Sequence, residues 1–194
     1  MDLTILIAAH VLLMPLWLVI WTCIPLLIRL GDAGPVFFRQ ERAGRNGKAF
    51  TIMKFRTMVV DSDKIGPAWT VDGDVRITTI GRILRRTALD ELPSILSIWK
   101  GDMSFVGPRA LAQSEQSMLE LEIPDFHLRL NVLPGLTGLS QVYNKTDSSI
   151  DKISHDLEYI RRMNLWLDLT LLVLSVKNTI FARWDQRSGK NHSI

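Results

Sequence analysis

Two adjacent carboxylates, in the segment Leu89-Asp90-Glu91-Leu92-Pro93, are the residues of this chain that are best suited to chemistry. Pro93 predicts that a helix begins here, and the macrodipole at a helix N-terminus favours the ionised form of a carboxyl group. An ionised pair suits a nucleophile or a ligand for a hard cation. Acidic residues are also ordinary helix caps, so position alone leaves a structural interpretation open.

Arginines lie on both sides of this pair in the sequence. Arg85 and Arg86 precede it, and Gly107-Pro108-Arg109 follows it. Arginine binds phosphate oxygens in a bidentate manner, so carboxylates placed between arginines suggest a site for a magnesium diphosphate. Taken singly, each arginine is more typical of a solvated surface charge.

Composition excludes several other classes of protein. The 194 residues suit one domain, and a formal net charge of +3 is too small to indicate a nucleic-acid partner. The single cysteine, Cys23, excludes an intramolecular disulfide and is typical of an intracellular protein. Neither a phosphate-binding P-loop motif nor a nucleophile-elbow motif is present.

An apolar run from Leu3 to Leu30 has Arg29 as its only formally charged residue. At 1.5 Å per residue, its roughly 28 residues exceed a hydrocarbon core of about 30 Å, so we expect a retained membrane segment. Pro15 and Pro25 each predict a kink. The residues alone leave two topologies open: a kinked span, or a helix-break-helix hairpin that enters and leaves by the same leaflet.

Cations predominate just after the apolar run. They are Arg39, Arg42, Arg45, Lys48, Lys54 and Arg56, against Glu41 alone. The positive-inside rule therefore predicts that this flank lies in the cytoplasm. The stretch suits anionic lipid head groups and also a phosphorylated substrate.

The remaining pattern predicts a β-hairpin followed by helices. Residues 36–42 and 49–58 flank the turn signal Gly44-Arg45-Asn46-Gly47, and residues 61–75 resemble a loop. Helical spacing runs from residue 76 to residue 100 with a break near Asp90, and further helices are expected over 111–123 and 150–163. Residues 165–176 are too few to span a bilayer, and they suit either an interfacial amphipathic helix or a buried core helix.

Several long motifs follow one another in this chain. They are GPVFFRQERAGRNGKAFTIMKFRTM, DVRITTIGRILRRTALDELPSILSIWKGDMSFVGPRAL, PGLTGLSQV and NLWLDL. In this order the chain resembles the bacterial sugar transferases, the small monotopic phosphoglycosyl transferases. The resemblance covers nearly the whole chain and implies an α+β fold. A re-entrant membrane hairpin over residues 1–33, broken at Pro15, would precede a small, mostly helical cytoplasmic catalytic domain over 34–194, with a short β-hairpin and interfacial amphipathic helices.

The resemblance also implies a reaction. A sugar 1-phosphate would pass from a UDP-sugar to polyprenyl (undecaprenyl) phosphate at the cytoplasmic face of the bacterial inner membrane, with release of UMP, and would start glycoconjugate assembly. In the family, the Asp of the dyad attacks phosphorus, which maps to Asp90. Mg²⁺ is the implied cofactor, and membrane lipid is an expected partner, while a homodimer is left open. The alternative is a membrane-tethered binding or scaffold protein that kept the fold and lost the chemistry.

The resemblance implies that Asp90 and Glu91 are catalytic and hold the metal. The substrate-binding residues expected around them are Lys54, Arg56, Arg85, Arg86, Pro108, Arg109 and Asp156. Asp156, in HDLEYI, matches an acidic position of the family, so that it would assist the metal or position the site.

The chain departs from the family pattern at several places, of which four bear on the break and the site. Met14 replaces the Ser before Pro15, Ala110 replaces the second proline of Pro-Arg-Pro, Leu133 replaces a basic residue, and Asn144-Lys145 replace Gly-Arg. The first departure removes a hydroxyl that could satisfy a freed backbone carbonyl at the break. The other three predict altered contacts with the donor substrate.

Overall fold

Two apolar helices, α1 (Asp2–Leu12) and α2 (Met14–Gly31), begin the structure, a computed structural model that describes residues 1–66, 73–144 and 148–184. Leu13 separates the two helices, with non-helical φ and ψ of −107° and 18°. The break lies two residues before Pro15, near the kink that the sequence predicts, because proline lacks the N–H that would continue the helix. Pro25, in contrast, is accommodated inside α2.

The break is held by aromatic side chains. The indole nitrogen of Trp17 donates to the carbonyl oxygen of Ala9 at 3.3 Å. The ring of His10 stacks on that of Trp17 with 4.7 Å between centroids, and it meets the edge of Trp99 at 5.7 Å. The carbonyl oxygen of Ala9 thus accepts both the Trp17 indole and the Leu13 N–H, the latter at 3.0 Å, and Trp17 ties the start of α2 to α1.

Both apolar helices pack on one β-hairpin, from opposite sides. The hairpin pairs β1 (Phe37–Ala43) with β2 (Ala49–Phe55) in antiparallel register, as the sequence predicts. Phe50 and Ile52 pack with Leu6 of α1, whereas Phe55, on the other face of β2, packs with Ile24 and Ile28 of α2. Since alternate residues of a strand point to opposite faces, the short hairpin lies between the two helices.

Helices form most of the remaining fold. The described helices are α3 (Ser62–Ile65), α4 (Thr79–Thr87), α5 (Ile95–Trp99), α6 (Gln113–Glu122), α7 (Leu139–Tyr143), α8 (Ser149–Arg162) and α9 (Leu165–Ile180). The helices predicted over 76–100, 111–123 and 150–163 are confirmed as α4 with α5, as α6 and as α8, whereas α3 and α7 were not predicted. Short 3-10 segments are Arg45–Gly47, Leu89–Ser94 and Phe126–Asn131. Helix α3 lies within the predicted loop, part of which, residues 67–72, is outside the described residues.

A small parallel pair of strands was not expected from the sequence. Strand β3 (Ser104–Val106) lies beside β4 (Gly135–Thr137), and the chain between them forms α6 and a 3-10 segment. A Cβ on Gly135 would lie 2.1 Å from the backbone nitrogen of Gly107, so the two segments approach each other too closely for any side chain at that position. Strands of three residues carry no periodic signal, because a pattern of alternation needs a longer run.

Helix α9 exposes one apolar face and buries the other. The exposed residues recur at spacings of three and four, and they are Trp166, Leu169, Val173, Val176 and Ile180. Leu171 and Ser175 are buried on the opposite face, where the Ser175 hydroxyl lies 2.5 Å from that of Thr137. The helix is therefore half core and half exposed. Its buried face agrees with the core interpretation, and its place at a membrane interface stays a prediction.

Gly81 allows α4 to pack closely against the segment that follows β2. Thr78 caps α4 by accepting a hydrogen bond from the Gly81 N–H at 2.9 Å, and the Thr78 N–H donates to the carbonyl oxygen of Thr57 at 3.0 Å. A Cβ on Gly81 would lie 2.0 Å from that same oxygen. Close contact between α4 and the segment after β2 therefore requires glycine at position 81.

We expect Gly81→Ala to lower the stability of the fold by about 2 to 4 kcal/mol, because the added methyl group must displace the Thr57 backbone. Gly31→Ala is the matched control, since a Cβ there meets its nearest neighbour at 3.9 Å. Thermal unfolding of both variants in the same detergent measures the difference. Equal melting temperatures for the two variants would contradict the close contact between α4 and Thr57.

Candidate active site

Asp90 and Glu91 lie in the 3-10 segment Leu89–Ser94, between α4 and α5. Ala88, with a left-handed φ of 54°, ends α4 and turns the chain into this segment. The segment rests on β2, where the Ser94 hydroxyl donates to the carbonyl oxygen of Met53 at 3.0 Å. The sequence predicted the first turn of an α-helix here. The pair lies one turn earlier, so neighbouring side chains rather than an α-helix dipole control its charge.

Glu91 is held by two cations at a single oxygen. Lys54 Nζ lies 2.7 Å and Arg109 Nη2 2.8 Å from Oε1 of Glu91. Burial alone would raise the pKa of Glu91, but the charges and hydrogen bonds of Arg109 and Lys54 outweigh it and hold the pKa well below its usual range. Glu91 is therefore ionised at any physiological pH.

Asp90 has the opposite electrostatic environment. Its burial, followed by the charge of Glu91, raises its pKa to about 6, although Lys54, Arg85 and Arg109 partly oppose the shift. Two neighbouring carboxyl groups whose pKa values are pushed apart are typical of an active site, where they have different roles. Asp90 is the more basic of the two and is still mainly ionised at pH 7.

Positive charge exceeds negative charge around the pair. Arg85 donates from Nε to the Thr57 hydroxyl at 2.9 Å, which places a third cation close enough to influence Asp90. Together with Lys54 and Arg109, it leaves one positive charge in excess when both carboxylates are ionised. The Arg109 side chain is 39% exposed, so part of this residue faces solvent. The site therefore favours an anionic ligand.

Other residues predicted for substrate binding have different neighbours. The buried side chain of Arg56 donates to the carbonyl oxygen of Asp32, just after α2, and Arg86 is exposed on α4. Asp156 is only 1% exposed and pairs with Arg129 at 2.8 Å. Of the two roles expected for Asp156, its burial supports positioning and argues against contact with a metal or substrate.

The loop Gly107-Pro108-Arg109 is held near the carboxylate pair by a backbone contact with Gly135, at the start of β4. The carbonyl oxygen of Pro108 accepts a hydrogen bond from the Gly135 N–H at 2.8 Å, so Pro108 acts here through its backbone. Ala110, one of the departures from the family pattern, is buried next to this loop. Lys145, another of them, lies outside the described residues.

Two further arginines contact this loop that the sequence did not single out. Arg42 was counted only within the basic stretch, and Arg129 lies in a segment with no recognisable motif. Arg42 donates to the carbonyl oxygen of Ala110 at 3.0 Å, and Arg129 donates to that of Arg109 at 2.7 Å. Only the folding of distant segments brings these side chains together, so no local pattern could have identified them.

Comparison with known protein families agrees with the residues gathered here. A family model described as bacterial sugar transferase matches residues 1–182, which include both carboxylates and all of the cations around them. The chain belongs to the bacterial sugar transferase family. The resemblance seen in its motifs is thereby confirmed.

Characterised members of the bacterial sugar transferase family are similar over most of this chain. A UDP-N-acetylgalactosamine-undecaprenyl-phosphate N-acetylgalactosaminephosphotransferase of Aeromonas hydrophila is 35% identical over 178 residues, which are 90% of this chain and 42% of the relative. A UDP-glucose:undecaprenyl-phosphate glucose-1-phosphate transferase of Caulobacter vibrioides is 38% identical over 161 residues, or 80% of this chain and 60% of the relative. The chain thus spans only part of the length of these two transferases.

A third family member is closer in length. The exopolysaccharide production protein PSS of Rhizobium leguminosarum is 41% identical over 159 residues, which are 77% of this chain and 80% of the relative. This chain therefore covers most of the length of this relative.

We expect Asp90→Asn to stabilise the folded protein at pH 8. The pKa of Asp90 in the fold is about 6, above its ordinary value of 3.8, so the wild type loses stability as the pH rises through this interval. The neutral amide avoids that loss, which is on the order of 1 to 3 kcal/mol. Thermal unfolding at pH 8 should give a higher melting temperature for the variant, and the difference should shrink at pH 4. A less stable variant at pH 8 would contradict the raised pKa.

Proposed function

We propose that this chain transfers a sugar 1-phosphate from a UDP-sugar to undecaprenyl phosphate and releases UMP. The observation that carries this proposal is the pair of unlike carboxylates, in which Asp90 is basic and half-buried while Lys54 and Arg109 hold Glu91 ionised. The names of the Aeromonas and Caulobacter relatives support the same donor and acceptor classes. The identity of the sugar is left to experiment.

Asp90 is the proposed nucleophile of the first step. One of its carboxylate oxygens attacks the phosphorus that carries the sugar, and the bond from this phosphorus to the oxygen shared with UMP breaks. UMP leaves with the electron pair of that bond, and an aspartyl phosphosugar remains on the enzyme. A raised pKa near 6 suits this role, since the carboxylate is ionised at pH 7 and more nucleophilic than an ordinary one.

Undecaprenyl phosphate completes the reaction in a second step. An oxygen of its phosphate attacks the same phosphorus, the bond to Asp90 breaks, and the carboxylate is regenerated as undecaprenyl diphosphosugar leaves. Division into two steps lets a water-soluble donor and a lipid acceptor use one site in turn. Glu91 is not consumed in either step, because its charge is committed to Lys54 and Arg109.

The surrounding cations are proposed to bind the phosphoryl oxygens. Arg109 is partly exposed beside the pair, and Arg85 lies close enough to Asp90 to influence its charge. Negative charge on the phosphoryl oxygens is the main electrostatic load of phosphoryl transfer, and fixed cations stabilise it. Arg85 and Arg109 are therefore the residues we assign to the donor diphosphate.

Asp90 and Glu91 are also suited to hold Mg²⁺. This ion binds one or two protein carboxylates together with substrate phosphates and water. Lys54 and Arg109 both contact Oε1 of Glu91, so Oε2 carries neither of these contacts. When bound, Mg²⁺ would neutralise charge on the diphosphate of the donor.

The apolar helices are proposed to enter and leave the membrane by the same leaflet. Helix α1 packs on one face of the β-hairpin through Leu6, and the end of α2 packs on the other face through Ile28. Large apolar residues near the break, including Val11 and Leu12, are exposed. Helix α2 is by length and composition able to cross a membrane, but a crossing would require α1 to lie apart from the domain it contacts.

The exposed face of helix α9 supports association of the domain with the membrane surface. Its exposed stripe, which runs from Trp166 to Ile180, provides a second apolar surface in addition to that of α1 and α2. Arg161 and Arg162, which are exposed just before it, suit anionic head groups. With the basic stretch on the same domain, this favours the cytoplasmic face of the bacterial inner membrane.

The reaction is tested with purified protein in nanodiscs, a panel of UDP-sugars, Mg²⁺ and undecaprenyl phosphate. We expect UMP release with at least one donor, and its loss by a factor of at least about 10³ in Asp90→Asn. With the acceptor omitted, release should stop at about one UMP per active site, because the aspartyl phosphosugar then accumulates.

The matched control is Asp125→Asn, which makes the same change at an exposed residue whose left-handed φ of 63° suits asparagine. It should retain wild-type release. Full activity in Asp90→Asn would refute the nucleophile. No release from folded wild type with any donor would instead favour the scaffold alternative, to which the departures at Ala110 and Leu133 would then contribute.

The topology is tested by labelling with a membrane-impermeant maleimide in a Cys23→Ser background. Thr4→Cys and Lys48→Cys place thiols at exposed positions on α1 and beside the hairpin turn. A re-entrant hairpin predicts that both react in inverted vesicles and neither reacts in intact spheroplasts. Reaction of Thr4→Cys only in spheroplasts would show a span.

A further inference from the structure

The backbone around Arg109 is held at four consecutive carbonyl oxygens. The hydrogen bonds are Gly135 N to Pro108 O (2.8 Å), Arg129 Nη2 to Arg109 O (2.7 Å), Arg42 Nη1 to Ala110 O (3.0 Å) and Ala43 N to Leu111 O (2.9 Å). Two of these four donors are backbone amides, as in ordinary strand pairing. The other two are arginine side chains, which commit a charged group to an uncharged backbone oxygen.

Arg129 is unable to contact substrate, because its nitrogens are occupied inside the fold. Its Nε donates to Asp156 at 2.9 Å, its Nη1 donates to Gln116 at 3.0 Å, and its Nη2 donates to the carbonyl oxygen of Arg109. The residue is 4% exposed. Asp156 compensates the buried charge, as a buried guanidinium requires. These hydrogen bonds together fix the position of the Arg109 carbonyl oxygen.

Arg42 has a similar role on the adjacent residue. Its Nη2 donates to the side-chain oxygen of Gln40 at 2.5 Å, and its Nη1 donates to the carbonyl oxygen of Ala110. Burial and then the nearby charge of Arg109 lower the pKa of Arg42 to about 10. Two arginines this close repel each other, so the arrangement costs free energy that its hydrogen bonds have to offset.

We infer that Arg42 and Arg129 are positioning residues that align the guanidinium of Arg109 with Glu91 and the donor phosphates. The carbonyl oxygens of Pro108 and Arg109 lie in the two peptide planes that flank the Cα atom of Arg109, so Gly135 and Arg129 fix the backbone dihedrals of Arg109. Arg42 fixes the next peptide plane, at Ala110, and so limits rotation of the backbone that carries Arg109. Because the guanidinium lies at the end of a long side chain, a rotation of this backbone displaces it from Glu91. The inference rests on the proposed function, because donor binding is its readout.

The test is a double-mutant cycle on the Michaelis constant for the UDP-sugar that the wild type accepts. Arg42→Met removes the hydrogen bond to Ala110 and keeps the aliphatic volume, and we expect it to raise the donor KM by about 5- to 20-fold. In an Arg109→Ala background the same change should have less than about a twofold effect, because Arg42 acts through Arg109. The KM for undecaprenyl phosphate should not change in either background.

Arg45→Met is the matched control, since Arg45 is exposed at the turn of the same hairpin. Its donor KM should stay within about twofold of the wild type. Additive effects of Arg42→Met and Arg109→Ala would overturn the inference, because Arg42 would then act on donor binding independently of Arg109. An unchanged donor KM in Arg42→Met would overturn it as well.

A second variant keeps the inference testable if Arg42→Met fails to fold. Arg129→Met with Asp156→Asn removes the other side-chain donor and leaves no unpaired buried charge, and it should show the same dependence on Arg109. Failure of the proposed function is distinguishable, because it would appear as absence of UMP release in the wild type. Failure of the inference would appear only in the variants, as additivity or as a lack of effect.

Discussion

The contact of Lys54 and Arg109 with one oxygen of Glu91 is the interaction on which the rest of the site depends. It joins strand β2, the 3-10 segment after α4, and the loop after β3, which are far apart in the sequence. Burial is the main cause of the raised pKa of Asp90, and the charge of Glu91, which this contact keeps ionised, raises that pKa further. The same contact therefore joins the three segments and contributes to the reactivity of Asp90.

The loops that deliver these residues are positioned by close backbone contacts rather than by a large sheet. Gly81 lets α4 contact Thr57. Gly107 and Gly135 let the loop that bears Arg109 lie close to the backbone of β4. Such contacts leave no room for side chains, so the segments can shift only with a large loss of packing. Among the described residues, the sheets that take part in this arrangement have two strands each.

The apolar helices contribute to the same architecture. Leu6 of α1 and Phe50 of β2 belong to one cluster with residues of α5, which follows the carboxylate pair directly. The cluster that includes Ile28 contains Leu84 of α4, the helix that precedes the pair. The segment that bears Asp90 is thus bracketed by elements that each pack on one of the two N-terminal helices. The packing that aligns the site therefore also holds the two apolar helices.

The sequence by itself determined the local features of this protein. The apolar run with its break at Pro15, the hairpin around its turn signal, the helices and the candidate pair Asp90 and Glu91 all depend on residues near one another in the chain. Periodicity, proline chemistry and motif spacing are local properties, so they can be read without a fold. The long motifs also indicated the family, because several of them occur in the order that is typical of it.

Only the tertiary structure decided which cations contact Glu91 and which cations influence the charge of Asp90. Lys54 and Arg109 reach Glu91, whereas Arg56 and Asp156, equally plausible from sequence, are engaged elsewhere. It also decided that the two carboxyl groups differ, because burial and distance to each charge set their pKa values. These quantities arise from contacts between segments distant in sequence, and no local pattern encodes such contacts.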